Sequence, residues 1–275
     1  MKTLLTVCML ALTFNSLASE RIVSVGGNIT EIIYQLGYED QIVGTDTTSN
    51  YPIAATKTEK VGYARALSAE GILSLQPSVV FLTNEAGPVV VLKQLEEAGV
   101  NVITLPKDYS IKGATDKVKK IANYLNIKDK GNKVIQKITA EVEQAHKKIS
   151  KDKQPKILFI LSQRSGNLLV SGRDTQADGM IKLVGGINPM QEFTSYKPLT
   201  PEQIAEVMPD IILMMNRHGG DGENSIVNDL KKHPVLKLTP AVQNNKIISM
   251  DGSYLLGFGP RVGLALKELA EQVYD

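Results

Sequence analysis

Residues 67–82 read LSAEGILSLQPSVVFL, and residues 199–214 read LTPEQIAEVMPDIILM. Leucine, glutamate, isoleucine and proline recur at matching positions, and the offset of 132 residues is about half of the 275-residue chain. In each copy a hydroxyl residue, Ser68 or Thr200, is placed to cap a short helix that ends before a proline and a buried β-run. A repeat of this length predicts two similar lobes with a ligand cleft between them, at the carboxyl ends of the strands.

Short β-branched runs alternate with helical patterns along both halves of the chain. This alternation is typical of a parallel α/β sheet, and we predict an α/β fold with two similar lobes that contain parallel-type sheets. The predicted strands are 22–25, 41–44, 79–82, 102–105, 156–161, 211–214 and 246–250. The predicted helices, besides the two capped ones, are 30–36, 89–98, 114–125 and 261–273.

A long lysine-rich helix is predicted to join the two lobes. From Asp129 to Lys151 apolar residues recur at helical spacing, at Val134, Ile138, Val142, Ala145 and Ile149. A helix of ~20 residues is roughly 30 Å long, enough to cross from one lobe to the other. We therefore expect a signal peptide (1–18), an N-terminal lobe (19–127), an interlobe helix (128–152) and a C-terminal lobe (153–275).

The amino terminus has the pattern of a secretory signal. Lys2 supplies the positive charge, an apolar stretch runs from Leu4 to Phe14, and Ser16-Leu17-Ala18 offers small residues for cleavage. We expect cleavage before Ser19 and secretion of the mature chain. Cys8, the only cysteine, would be removed with this segment, so the mature chain would hold no disulfide. No later apolar run approaches the ~18 residues that cross a bilayer, and we expect no membrane span after cleavage.

Charge and histidine content argue against several classes of partner. The chain has 31 basic and 29 acidic residues, and loss of Lys2 would leave a net charge of +1. This near balance gives no support to nucleic-acid or membrane-surface binding. The three histidines, His146, His218 and His233, are scattered, whereas a zinc or manganese carrier normally brings several histidines and carboxylates to one site.

Sequence motifs of the common enzyme classes are missing. There is no G-x-S-x-G elbow, no Walker A loop and no H-E-x-x-H, and the glycines at 257, 259 and 263 miss the dinucleotide spacing by one. We therefore predict a binding protein; a secreted enzyme that uses the same cleft is the alternative of another class. Gly26-Gly27-Asn28 follows a strand and opens a helix, where its amides could hold an anionic group or simply form a tight turn.

Tyr63 and Arg65 are the strongest candidates for a ligand site. They lie in residues 61–67, VGYARAL, on the loop that leads into the Ser68 helix. A phenolate oxygen suits ferric iron, and tyrosine is one of the axial ligands of haem. Free tyrosine has a pKa of about 10, so a hydrogen bond from the nearby guanidinium would be needed to favour the phenolate. The structural alternative is a tyrosine packed on the lobe surface beside an arginine in a salt bridge.

Nearly the whole mature chain resembles the periplasmic haem-binding proteins that feed bacterial ABC haem importers, within a class that includes cobalamin- and siderophore-binding proteins. Residues 62–73, GYARALSAEGIL, are similar to the haem subgroup's G-Y-x-R-x-L-S-x-E-G motif. The resemblance implies ferric haem as the transported ligand, Tyr63 as the iron ligand and Arg65 as its support. A corrinoid or ferric siderophore is the alternative cargo, and its own metal coordination would make the Tyr63/Arg65 pair unnecessary.

The same resemblance implies that the second lobe contributes polar groups to the cleft. Arg217 could pair with a haem propionate, with a surface arginine as the alternative, and Tyr196 is a candidate for stacking on the haem. Some relatives add a histidine ligand from the loop that corresponds to residues 162–167, which contain none here. Iron bound through Tyr63 alone is therefore expected, with His218 as a candidate sixth ligand.

Glu70 and Glu202 occupy matching positions in the two copies of the repeat. A carboxylate in the first turn of a helix gains typically 0.3–1 kcal/mol from the helix dipole, which explains either residue alone. In the resembled class, one such glutamate on each lobe docks against arginines of the two membrane subunits of the importer. The resemblance thus implies ABC permease subunits as partners for this chain, which we expect to be a monomer.

Overall fold

The computed structural model of the protein describes residues 20–164, 167–216 and 223–275. These residues form two sheets, a two-stranded hairpin and the helices around them. The strands are β1 (Ile22–Val25), β2 (Ile42–Thr45), β3 (Gly62–Tyr63), β4 (Ala66–Leu67), β5 (Val79–Thr83), β6 (Asn101–Leu105), β7 (Ile157–Arg164), β8 (Asn167–Ser171), β9 (Tyr196–Leu199), β10 (Ile211–Asn216) and β11 (Ile247–Asp251).

The helices flank the sheets, and most lie between two strands in sequence. They are α1 (Gly27–Gln35), α2 (Ala69–Leu73), α3 (Val89–Glu97), α4 (Ile111–Tyr124), α5 (Lys128–His146), α6 (Gln176–Leu183), α7 (Pro201–Val207), α8 (Glu223–Lys232), α9 (Pro240–Gln243), α10 (Gly252–Leu256) and α11 (Val262–Tyr274). Short 3₁₀ helices cover Glu39–Gln41, Ile53–Lys57 and Leu236–Leu238.

The first sheet has the strand order β2-β1-β5-β6, and all its pairs are parallel. Ile22 of β1 pairs with Val79 of β5, and Leu82 of β5 pairs with Thr104 of β6. β1 is buried along its whole length and β5 from Val79 to Leu82, as expected for a parallel sheet that helices cover on both faces. The predicted α/β fold with a parallel sheet is confirmed in this lobe.

The second sheet is mixed, which the sequence interpretation did not foresee. Its order is β11-β10-β7-β8-β9; β11, β10 and β7 are parallel, whereas β8 and β9 pair antiparallel. Residues 165 and 166 alone separate β7 from β8 in the chain. Two residues are too few for the crossover that parallel neighbours require, so these strands must pair antiparallel.

Both copies of the repeat fold as the sequence predicts. Ser68 accepts a hydrogen bond from the Gly71 N–H at 3.4 Å and caps α2. Thr200 caps α7 by accepting from the Gln203 N–H at 3.3 Å, and Gln203 in return accepts from the Thr200 N–H at 3.1 Å. The strand that follows each helix, β5 or β10, takes an interior place in its sheet. The two sheets are therefore related in architecture as well as in sequence.

The helix between the two sheets is shorter than predicted. α5 covers Lys128–His146, whereas the sequence pattern extended the helix to Lys151. Its predicted apolar face is buried from Val134 to Ala145. Beyond that face, Ser150 accepts a hydrogen bond from the Asp152 N–H at 3.3 Å. The helix itself ends where the Lys148 N–H donates to the Ala145 carbonyl at 2.9 Å, a three-residue bond that tightens its last turn.

One apolar core continues from the first sheet to the second. Phe81 of β5, Ile138 of α5, Phe159 of β7 and Leu266 of α11 are fully buried members of the same cluster. The two sheets are thus held by shared packing on α4, α5 and α11, which fixes the walls of the space between them.

The proposed signal peptide, 1–18, lies outside the described residues, and the proposed lobe boundaries stay predictions. Among the helices in the described part of the chain, none is both long enough and apolar enough to cross a membrane.

Candidate functional site

A cleft opens between the two sheets. Gly27, Tyr63 and Asn84 belong to its first-lobe wall, and Gln176 and Ser253 belong to its second-lobe wall. Most first-lobe residues follow β1, β2, β5 or β6 or lie on the β3–β4 hairpin. Ligands of parallel α/β sheets bind at this edge, outside the carboxyl ends of the strands.

The β3–β4 hairpin presents Tyr63 to the cleft. Tyr63 pairs with Ala66 across the hairpin, and Gly62 has a φ of 96°, a conformation that favours glycine. The Gly87 N–H donates to the Ala64 carbonyl at 2.9 Å and ties the hairpin to the segment after β5. Tyr63 remains 48 % exposed and lines the cleft, so its phenol is accessible to a ligand.

Arg65 lies beside Tyr63 but directs its guanidinium to Glu85. The Arg65 Nη2 to Glu85 Oε2 distance is 3.5 Å, and Lys107 Nζ lies 2.9 Å from Glu85 Oε1. Burial alone would raise the pKa of the Glu85 carboxyl, but the hydrogen bond and charge of Lys107 and the charge of Arg65 hold it below its ordinary value. Arg65 therefore forms a salt bridge, as in the alternative that gives it no ligand role. Tyr63, by contrast, is accessible, as a ligand-binding residue must be.

Two more tyrosines lie beside this charged group. Tyr109 lines the cleft and packs its ring 5.6 Å from that of Phe258, and burial raises the pKa of its phenol to about 12. Tyr196 packs 6.5 Å from Phe159, ring to ring, and burial raises its pKa to about 12 as well. Both phenols therefore stay protonated at neutral pH. The ring of Tyr196 packs on Phe159 within the second lobe. Its role in stacking on a haem stays a prediction.

The turn that opens α1 is held from within the first lobe. The Gly26 N–H donates to Asp46 Oδ1 at 3.0 Å, and the Gly27 N–H donates to Thr48 Oγ1 at 3.1 Å. Gly26 has a φ of 126°, which requires glycine. Both amides already have acceptors, and this favours the tight-turn interpretation of residues 26–28 over an anion-binding one.

One cationic side chain lines the inner part of the cleft, and a second one contacts a cleft residue. Lys117 of α4 lines the cleft yet is only 2 % exposed, and its Nζ donates to the Phe258 carbonyl at 3.4 Å. Burial lowers its pKa to about 8, against the opposing charge of Asp108. Arg261 forms hydrogen bonds of 2.7 and 2.6 Å to Glu31, which also lines the cleft.

The remaining predicted site residues lie elsewhere. Arg217 and His218 fall outside the described residues, so their roles stay predictions. Glu70 and Glu202 are exposed, each at the second position of its helix, and neither lines the cleft. Within residues 20–164, 167–216 and 223–275, no group of three or more His, Cys, Asp or Glu side chains is arranged to hold a metal ion.

Sequence reasoning missed several polar residues of the cleft, among them Glu85, Lys107, Tyr109 and Lys117. Glu85 and Lys107 each follow a strand of the first sheet by two residues, a position that the strand-end rule could have pointed out. Tyr109 follows in the same loop as Lys107. Lys117 lies on the buried apolar face of α4, with Ala114, Val118 and Ile121, and a lysine at helical spacing from apolar residues is itself a signal.

Comparisons with known proteins agree with this architecture. The family model described as periplasmic binding protein matches residues 22–254, and the chain belongs to that family. As predicted, it is therefore a binding protein and not an enzyme.

Two similar solved structures are those of haem-binding proteins. The periplasmic haem-binding protein BhuT in complex with two haems has a TM-score of 0.86 and 36 % identity, covering 93 % of this chain and 98 % of that one. The periplasmic haem-binding protein RhuT from Roseiflexus sp. RS-1, in apo form, has a TM-score of 0.84 and 37 % identity, covering 94 % and 98 %.

Curated relatives include proteins that bind a ligand other than haem. An uncharacterised ABC transporter substrate-binding lipoprotein, YvrC of Bacillus subtilis, is 26 % identical over 93 % of this chain and 80 % of its own length. The vitamin B12-binding protein of Vibrio parahaemolyticus is 25 % identical over 95 % and 92 %. The chain is thus a member of the binding-protein class that includes haem- and vitamin B12-binding proteins.

Proposed function

We propose that the protein captures ferric haem in the cleft between its lobes and delivers it to an ABC-type importer. The observation that carries the proposal is the accessible phenol of Tyr63, which a pinned hairpin presents to the cleft. Deprotonated, this oxygen would be the axial ligand of the iron. The similarity to haem-binding structures at 36–37 % identity supports the same ligand.

The charge of the cleft also suits haem. Two cations, Arg65 and Lys107, share the single carboxylate of Glu85, so this group keeps an excess positive charge. Haem carries two propionate carboxylates, and a positive cleft favours their approach.

A corrinoid is the second candidate ligand, and the vitamin B12-binding relatives favour it. Cobalamin brings its own cobalt coordination and needs no tyrosine from the protein. An effect of Tyr63 on binding therefore separates the two candidates. A ferric siderophore, whose iron is already fully coordinated, would be separated in the same way.

The delivery step rests on the two exposed glutamates. We propose that Glu70 and Glu202 dock the two lobes on the two membrane subunits of the importer. Beside Glu70 lies a shallow groove with apolar side chains from Leu67, Leu73 and Val91, which would add contact area to a charged anchor. We further propose that the signal peptide directs the chain to the periplasm and that it acts there as a monomer.

The test is a titration of the purified mature protein with haemin and, separately, with cyanocobalamin. We expect a saturable visible spectrum of high-spin ferric haem with haemin and no binding of cobalamin. Tyr63→Phe should abolish the charge-transfer band of the iron–phenolate bond, whereas Tyr38→Phe, a tyrosine outside the cleft, should leave the spectrum unchanged. Tight cobalamin binding without a haem signal would overturn the proposal in favour of the corrinoid.

A further inference from the structure

Lys117 is placed unusually for a lysine. It is the only buried lysine among the residues that the structure describes, and its ammonium group, which has three N–H donors, bonds to one carbonyl, that of Phe258, at 3.4 Å. Burying a charge without a close counter-charge is costly, and the lowered pKa of about 8 reflects that cost. Methionine or leucine would fill the same place on the apolar stripe of α4 without this penalty.

The carboxylates nearest to Lys117 either bind other cations or lie outside the cleft. Glu31, which shares the cleft with Lys117, makes two hydrogen bonds to Arg261. Glu85, also in the cleft, is bound by Lys107 and Arg65. Asp108, on the loop before α4, acts on Lys117 through its charge but is partly exposed and lines a separate surface depression. None of the three carboxylates forms a direct salt bridge with Lys117 in the described chain.

We propose that Lys117 binds a carboxylate of the ligand at the inner end of the cleft. The inference rests on the proposed function and assigns one propionate of the haem to Lys117, with the iron at Tyr63. The ammonium would then gain the close counter-charge that the protein does not supply, so the cost of burying it is offset only in the complex. Because both residues line the same cleft, one haem would satisfy them together.

The experiment compares haemin with haemin dimethyl ester, in which both propionates are neutral. Lys117→Met keeps the length and apolar stem of the side chain and removes its charge. We expect this change to weaken haemin binding roughly 10- to 100-fold, as for loss of a charge-assisted hydrogen bond, and to alter ester binding less than about twofold. Lys119→Met, an exposed lysine on the same helix, should leave both affinities unchanged.

Equal weakening of haemin and ester binding in Lys117→Met would overturn the inference, because the lysine would then only shape the cleft. Unchanged haemin binding would overturn it as well, and in both cases haem capture itself would stand. If the wild-type protein binds neither porphyrin, the proposed function fails and this inference falls with it.

A second measurement needs no variant. The ratio of haemin to ester affinity in the wild-type protein should fall as the pH rises from 7 to 9.5, because Lys117 loses its proton over this range. Effects of pH on the iron ligand are common to both porphyrins and cancel in the ratio. A ratio that stays constant over this range would contradict the inference even if Lys117→Met does not fold.

Discussion

Arg261 and Glu31 lie 230 residues apart in the chain and meet at the cleft through two hydrogen bonds, Nε to Oε2 at 2.7 Å and Nη2 to Oε1 at 2.6 Å. The side chains are 16 % and 6 % exposed, so water screens the pair little. The guanidinium also stacks 3.7 Å from the ring centre of Tyr51. Glu31 belongs to the helix that follows β1 and Arg261 precedes the last helix, so this pair fastens the two halves of the chain together.

Breaking one side of this pair should destabilise the protein strongly. We expect Arg261→Met to lower the free energy of unfolding by about 3–5 kcal/mol, because it leaves the Glu31 carboxylate buried without its partner. Urea denaturation followed by circular dichroism measures the change. Asp116→Asn, which removes the exposed pair with Lys112, serves as control and should change stability by about 0–1 kcal/mol.

The double change Glu31→Leu with Arg261→Met should recover most of the lost stability, since no uncompensated charge then remains. A single Arg261→Met variant as stable as the wild type would show that the pair adds nothing to the joint between the halves.

Removing the Glu85 carboxylate should tighten haem binding. In Glu85→Gln the cleft gains one unit of positive charge, and Arg65 is released from its contact of 3.5 Å to Glu85 Oε2. Arg65 could then donate to the phenolate of Tyr63, and the propionates would meet a stronger positive field. We expect haemin affinity to rise several-fold at low ionic strength and the gain to shrink in 1 M salt, where charges are screened beyond about 3 Å.

The matched control is Glu96→Gln, an exposed glutamate outside the cleft, which should leave haemin affinity unchanged. Weaker binding by Glu85→Gln would mean that Glu85 holds Arg65 and Lys107 in their working positions. Since the pKa of Glu85 is held below its ordinary value, its contribution to stability is present above about pH 4.5 and is lost as the pH falls.

Lys117→Met should stabilise the protein without ligand. The folded-state pKa of about 8 lies below the ordinary 10.5, so the protonated amine costs up to roughly 3 kcal/mol in the folded state at pH 7. The wild type sheds this cost between pH 8 and 10.5, where its stability rises as the folded state loses the proton first. The difference in unfolding free energy between Lys117→Met and wild type should therefore be largest at pH 7 and shrink by pH 9.5.

Lys119→Met provides the comparison and should show no pH-dependent difference from the wild type. A Lys117→Met protein that is less stable than the wild type at pH 7 would show that the bond to Phe258 outweighs the burial of the charge.

Local signals in the sequence were sufficient to predict most of the fold. The caps at Ser68 and Thr200 and the β-branched runs act over a few residues, and they recur in both halves. The antiparallel β8–β9 pair was missed because the apolar run Leu168-Leu169-Val170, between Asn167 and Ser171, is only three residues long, too short for its periodicity to identify a strand. The end of α5 was missed because lysines continue past His146 and suit an exposed helix as well as a turn.

Only those cleft residues that share one short sequence motif were predicted from the sequence. Tyr63 and Arg65 stand two residues apart, and both line the cleft. Glu85, by contrast, becomes the partner of Arg65 only when the hairpin folds back on the segment after β5. Such pairings depend on tertiary structure, and a single sequence does not show which of its many carboxylates a given cation will meet.

The final prediction concerns the two exposed glutamates of the repeat. Glu70 is the second residue of α2 and Glu202 is the second residue of α7, each after a capping hydroxyl residue. Hydrogen bonds from its own backbone N–H and from Thr200 lower the pKa of Glu202, so it stays charged at neutral pH. Neither residue lines the cleft, so both can be changed without touching the ligand.

We expect Glu70→Ala and Glu202→Ala to keep haemin affinity within about twofold of the wild type while slowing transport in vesicles that contain the importer, with the double change slower still. Charge reversal with lysine at both positions should reduce transport further, because a cation would then face the cations that the docking model places on the permease. The exposed Glu96→Lys, outside both repeat helices, controls for net charge. Normal transport by the doubly reversed protein would remove the docking role, and the two glutamates would then serve only to begin their helices, where each gains typically 0.3–1 kcal/mol from the dipole.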